Sequence, residues 1–249
     1  AGSVILAGIL LKMGTYGLVR FSLCLFPDGS VYFTPLVYLM SIIAVVYTSI
    51  TTLRQIDLKK IIAYSSVAHV GLIAAGIFSL TIQGMQGAMA QMLAHGVNVV
   101  GIFFISDIIF RRMKTRNLDE LGGLANNTRV FTILYLIILL GSVALPLTNG
   151  FVGEFLLLNG VYQYNAWMAA IAGLTVILGA VYMLRSYQKI MLGEPHARSI
   201  EFTGLHQTEK IVLVVVALAI IAGGIYPKPI LQVAGPALED LLAQVKDIN

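Results

Sequence analysis

The sequence predicts an all-α integral membrane protein of about seven transmembrane helices, the fifth of them broken. Three observations carry that prediction. Of 249 residues, 58% are hydrophobic and only 11% are charged, against roughly 25% charged in a soluble domain. The apolar residues gather into runs of membrane-spanning length, at about 2–26, 31–53, 60–80, 84–110, 129–162, 166–191 and 209–227. Lys and Arg fall in alternate connections between those runs, the asymmetry that orients helices in a bilayer. Residues 1–249 read as one transmembrane domain with no repeat among its own spans.

The first run opens at Ala1-Gly2-Ser3 with neither an initiating Met nor a charged leader. That reads as a fragment cut within or just before a membrane helix. Lys12 lies near the middle of this run, and Pro27-Asp28-Gly29-Ser30 is expected to be a turn. The second run closes at the charged connection 54–60. The third carries His69, with Ser65 and Ser66 on its helical face at i−4 and i−3. Gln83-Gly84 reads as a tight connection to the fourth run, in which Gln91, His95 and Asn98 share one face. Residues 111–129 form a longer basic loop.

The fifth run is too long for one straight span. As a continuous helix, Thr128–Tyr164 would extend about 55 Å at ~1.5 Å per residue, across a hydrocarbon core about 30 Å thick. Pro146 removes a backbone donor and clashes with the preceding turn, and Asn149-Gly150 is a poor helix interior. A break near 146–150 therefore makes two half-helices. Residues 162–165 form a short uncharged connection, and loop 192–208 carries Glu194, His196, Arg198, Glu201 and His206. The tail, 227–249, is amphipathic and accommodates a short helix at Pro236–Val245.

Loops 54–60, 111–129 and 185–210 are basic, whereas 27–30, 81–83 and 162–165 carry no Lys or Arg. The positive-inside rule places the first set, and the N-terminus, on the inner side and the tail outside. Topology thus accounts for the net charge of +4, which gives no reason to invoke nucleic acid. Cys24 is the single cysteine, so an internal disulfide and a cysteine metal cluster are excluded.

Four ionisable residues lie inside the spans: Lys12, His69, His95 and Glu154. Charge at membrane depth is costly, so such residues face protein or water. Each has two readings. Lys12 is a proton carrier or a snorkelling residue. His69 and His95 are relays through either ring nitrogen, or structural hydrogen-bonding groups. Two such histidines on successive helices also make a metal site conceivable, without the Cys and carboxylate cluster of a redox metal. Glu154, just past a helix break, is an ion or proton site or a neutral carboxyl joining helices. Arg20, Asp107, Arg185 and Lys189 sit near span ends, where snorkelling or loop pairing explains them, and His196 and His206 read as solvated. No phosphate loop, dinucleotide fingerprint, zinc spacing or nucleophile elbow is present.

Four stretches together resemble a known family: Ala1 to Lys12, Asp57 to His69, Met92-Leu93-Ala94-His95-Gly96, and Leu145-Pro146-Leu147-Thr148-Asn149-Gly150-Phe151-Val152-Gly153-Glu154-Phe155. The family is the antiporter-like membrane subunits of proton-pumping NADH:quinone oxidoreductase, respiratory complex I. The resemblance implies the C-terminal half of a fourteen-helix subunit with inverted repeats, each containing a broken helix. It implies that Lys12 is the central lysine linking two half-channels. His69 and His95 would be polar-axis residues between it and the exit, and Glu154 the ionisable residue of the second broken helix. Relatives of the L and N types, and stand-alone sodium/proton antiporters, usually carry lysine at that last position, so glutamate favours the M branch (chain 4 in mitochondria). The family's entry glutamate and first broken helix would lie before Ala1. The resemblance also implies that this chain binds no cofactor itself, with NADH, FMN, iron–sulfur clusters and quinone held by other subunits. L- and N-type antiporter-like subunits would be its neighbours in the lipid bilayer. The expected location is the bacterial cytoplasmic (inner) membrane, ahead of the mitochondrial inner membrane. The competing expectation is a subunit of a multi-chain sodium/proton antiporter, and beyond that a purely structural bundle.

Overall fold

The computed structural model describes residues 2–126, 128–195, 199, 202 and 204–246. Among these, every regular element is helical. In chain order the helices are α1 (Gly2–Leu23), α2 (Pro27–Leu53), α3 (Leu58–Ile77), α4 (Ile82–Met113), α5 (Arg129–Ser142), α6 (Asn149–Tyr164), α7 (Ala166–Met191), α8 (Gln207–Ile225) and α9 (Lys228–Lys246). Six of them are long and apolar enough to cross a membrane, and α5 with α6 forms the broken segment.

The helix ends follow local chemistry. Pro27-Asp28-Gly29-Ser30, expected as a turn, is instead the first turn of α2. Proline is pre-organised for the first helical position, where no donor is lost, and Asp28 suits the positive end of the helix dipole. Gln83-Gly84 is likewise helical rather than a connection. The chain turns at 78–81 with Leu80 in the left-handed region (φ 51°), and the Thr81 hydroxyl accepts from the Gly84 N–H at 3.1 Å. A single residue, Asn165, separates α6 from α7, its side chain accepting from the N–H groups of Trp167 and Met168 at 2.9 and 3.1 Å. The tail helix is longer than the expected 236–245, because Pro236 lies inside α9 rather than starting it. Its apolar side (Leu238, Leu241, Leu242 and Val245) is buried, and Gly235 sits beside Gln86 of α4.

Two features position the interior. Helix α1 is interrupted by π turns at Leu6–Leu10 and Leu18–Leu23 on either side of Lys12. Such turns are rare and concentrate at functional sites. Helices α4 and α6 meet through glycine: a Cβ on Gly160 would lie 2.4 Å from the Gly84 Cα, and one on Gly87 would lie 2.6 Å from the Leu157 N. Small residues let helix backbones approach, as membrane bundles require. On the basic side, Asp57 caps α3 through the Lys60 N–H at 3.0 Å. There the peptide groups of Leu58 and Arg116 and of Leu118 and Ile56 pair. Lys189 pairs with Asp119, Arg185 donates to the Leu53 carbonyl at 2.8 Å, and Asp107 pairs with Arg111 at 2.8 Å. Of the four span-end charges, Lys189 pairs with a loop residue, Arg185 with the carbonyl ending α2 and Asp107 with a neighbour on its own helix. The Lys189 ammonium holds the Asp119 carboxyl below its usual range.

Candidate proton-relay site

The helix break organises the site. Helix α5 stops at Ser142 and α6 restarts at Asn149, so the interruption begins at Val143, three residues before Pro146. Its cause is steric: the residue before a proline is pushed away from helical geometry. Ala144 and Leu147 adopt left-handed φ values of 56° and 75°, uncommon for residues with a Cβ. Pro146 lies within the break, and Asn149 and Gly150 begin the second half-helix. The break packs on glycine from α8, where a Cβ on Gly224 would meet the Leu147 carbonyl at 2.3 Å.

Asn98 holds the break from α4. Its Nδ2 donates to the Gly141 carbonyl at 2.9 Å, satisfying one of the carbonyls that an ending helix orphans. Asn98→Leu is expected to leave that carbonyl with only the long 3.4 Å bond from the Ala144 N–H, at a cost of about 1 kcal/mol. Melting of the detergent-purified protein, together with faster alkylation of a reporter cysteine at Leu145, checks it.

One and a half turns past the break stands Glu154, 3% exposed. Gln91 Nε2 donates to its Oε1 at 3.1 Å, and His69 Nδ1 approaches the same oxygen at 3.0 Å without the alignment of a hydrogen bond. The His69 and His95 rings lie 4.8 Å apart, tilted by 40°. Glu154 Oε2 and His95 Nε2 are buried with no protein partner, the condition that an internal water satisfies. The face Gln91–His95–Asn98 is therefore divided among three tasks: bonding Glu154, lying against the His69 ring and tying down the break.

Lys12 is buried on α1, its ammonium donating to the Ala7 carbonyl within the first π turn. It makes no hydrogen bond to either histidine. Thr15, one turn on, binds the Lys12 carbonyl at 3.1 Å and the Met92 sulfur at 2.9 Å, and Gly8 rests on the Gly96 carbonyl. These contacts bring α1 against α4 beside His95. Lys12 also borders a groove of ≈ 590 Å³ between α1, α4 and α8. The structure thus gathers His69, His95 and Glu154 into one buried cluster and sets Lys12 beyond it. Among the described residues, no three His, Cys, Asp or Glu side chains converge as metal ligands would. His206 lies at the start of α8, and His196 lies outside the described residues.

Three participants were not singled out from sequence. The π turns have no local signature. The glycine seam had one, in Gly84, Gly87, Gly153 and Gly160. Tyr182 of α7 is 2% exposed and has an unpartnered hydroxyl.

An all-helical membrane bundle with an interrupted helix, a buried carboxylate beyond the interruption and two adjoining histidines beside it defines a class of polytopic membrane proteins. The chain belongs to the NADH:quinone oxidoreductase/Mrp antiporter transmembrane family, whose model matches residues 1–179. It is 43% identical over 247 residues to NADH-ubiquinone oxidoreductase chain 4 of Marchantia polymorpha, covering 99% of this chain and 50% of that one. It is 45% identical over 242 residues to NADH-quinone oxidoreductase subunit M of Rickettsia prowazekii, covering 97% and 49%. Among solved structures, respiratory complex I from Thermus thermophilus with bound NADH superposes with a TM-score of 0.90 at 29% identity, over 94% of this chain and 50% of that one. The Mrp complex from a Dietzia species shares the fold, with a TM-score of 0.86 at 18% identity over 96% and 53%. The chain spans about half the length of the curated relatives it matches.

Proposed function

We propose that the chain is the C-terminal half of an M-type antiporter-like subunit of complex I, translocating protons while quinone is reduced elsewhere in the assembly. The observation that carries this reading is Glu154, hydrogen-bonded by Gln91 and approached by His69, with the His95 ring beside that of His69. A proton on Lys12 passes through water to His95, across to His69 and on to Glu154, and leaves on the outer side. Each imidazole accepts at one nitrogen and releases from the other, so the relay needs no net ring charge after each step. A change in neighbouring charge times release from Lys12, because a nearby positive charge disfavours the ammonium. NADH, FMN, iron–sulfur clusters and quinone belong to other subunits, and L- and N-type subunits flank this one in a bacterial inner membrane.

The competing reading, sodium/proton exchange, predicts a different driving force. Full-length protein within its purified complex is reconstituted into liposomes and supplied with NADH and quinone. Redox-driven acidification that persists when choline replaces sodium supports proton pumping. Sodium-dependent exchange without redox drive overturns it.

A further inference from the structure

We infer that Gln91 is a turning amide that decides whether the proton between His69 and Glu154 rests on the ring or on the carboxyl. The inference rests on the proton-relay reading of Glu154 and adds the residue that directs its last step. Gln91 is 2% exposed and reaches Glu154 from α4, its Nε2 donating to Oε1 at 3.1 Å. His69 Nδ1 stands 3.0 Å from the same oxygen. Two lone pairs facing each other at that separation repel, so one proton belongs to these two atoms, on Nδ1 or on Oε1. In the first case Gln91 meets a carboxylate; in the second it meets a carboxylic acid.

A glutamine side chain serves both cases. It carries donor hydrogens on one atom and an acceptor on the other, and a half-turn of the amide exchanges them at almost no change in shape. As it stands, the amide donates. That favours the carboxylate, because hydrogen bonds to an ionised group are the stronger kind, and it leaves the proton on His69. Turned, Gln91 Oε1 accepts from the O–H of a protonated Glu154. Among the described residues, the bond to Glu154 is the only hydrogen bond of this amide, and its Oε1 is buried without a partner. Buried polar atoms are nearly always paired; an acceptor idle in one charge state and engaged in the other accounts for the exception. The amide lies over Gly153 of α6, where a Cβ would stand 2.3 Å from Gln91 Oε1. The proton step balances. A proton arriving at His69 Nε2 lets the Nδ1–H bond break as an O–H bond forms on Glu154, leaving ring and carboxyl both neutral. The turned amide then offers that O–H an acceptor other than Nδ1, so the proton stays on Glu154 instead of returning to the ring. Release to the outer side restores the carboxylate and the donating orientation. Gln91 never bears the proton; it is a positioning residue.

The test uses the full-length subunit within the assembled complex and reads two quantities. One is the infrared C=O band of protonated Glu154, identified by its loss in Glu154→Gln. The other is protons pumped per electron in proteoliposomes. Gln91→Met keeps the length and volume of the side chain but neither donates nor accepts. Without the donor, the ratio of protonated to ionised Glu154 in the resting complex is expected to rise at least about tenfold, the weight of one hydrogen bond to a charged group. Without the acceptor, protons return to the ring, and pumping is expected to fall several-fold. Gln91→Leu, apolar but of different shape, should raise the same band; a packing role would separate the two variants and leave the band unmoved. The wild-type complex supplies a measurement that needs no folded variant. With the side-chain carbonyl of glutamine isotopically labelled, a label-sensitive amide band should move on turnover in step with the appearance of protonated carboxyl. A Glu154 band of wild-type size in Gln91→Met, or amide bands that stay still in the wild type while that carboxyl band appears, overturns the turning amide and leaves the relay standing. Normal pumping by Glu154→Gln overturns the relay reading instead, a separate result from the resting-state band.

Discussion

Glu154→Gln, in the full-length subunit assembled into its complex, is expected to lower proton translocation at least about tenfold. The expectation follows from what glutamine keeps and loses. It has nearly the same shape, and its amide oxygen still accepts from Gln91 Nε2, which lies 3.1 Å from Oε1, so the packing of α4 on α6 survives. It cannot take up a proton, and it removes the carboxylate that approaches His69 at 3.0 Å. Removing a positioned proton-transfer group outright costs about 10²–10⁴-fold; water in the cavity recovers part of that. Glu154→Asp retains the charge but withdraws it by one methylene from both Gln91 and His69, so intermediate pumping is expected. The measurement is protons moved per electron in proteoliposomes. An unaltered ratio in Glu154→Gln, with the complex intact, would remove this residue from the path.

Gly87→Ala should be the most damaging small change to the fold. The new Cβ would stand 2.6 Å from the Leu157 N, 2.8 Å from the Leu156 Cβ and 2.9 Å from the Leu156 carbonyl carbon. Two of those three atoms are backbone, so no rotamer change relieves the clash and α6 must move as a body. Overpacking of this kind costs about 1–3 kcal/mol, but the functional loss exceeds the energetic one. Gln91 lies one turn along α4 on the same face, and displacing α6 draws Glu154 away from Gln91 and His69 together. Thermal retention of the detergent-purified protein should fall, and pumping should be lost in the fraction that assembles. Gly173→Ala is the control: its Cβ meets nothing within 4 Å, and alanine in a helix interior is favoured over glycine by about 1 kcal/mol. Equal behaviour of the two variants would show that the glycine seam does not set the distance between α4 and α6.

Much of this protein was legible in its sequence because membrane insertion imposes simple rules. Apolar run length fixed which segments are helical, and the excess length of 128–164 with Pro146 inside it required a break. The rarity of charge at membrane depth reduced the candidate residues to Lys12, His69, His95 and Glu154. Helix ends were less legible. Proline and glycine mark turns in solution, yet Pro27 and Gly29 are helical in α2, where proline suits the first helical position, and Pro236 lies inside α9, whose apolar side is buried. The π turns flanking Lys12 were illegible because no residue pattern within α1 marks them.

Sequence by itself determined the helical class, the interrupted helix and the identity of the ionisable residues, since each follows from hydropathy or backbone chemistry along one segment. Only the tertiary structure decided which of those residues meet. His69, His95 and Glu154 come from three different helices, and the glycines of α4 and α6 permit the close approach that puts Gln91 on Glu154. Lys12, equally apparent as a buried charge, was left outside that cluster. Helical periodicity gives the face on which a side chain stands; the separation between faces is set by the volume of what lies between them.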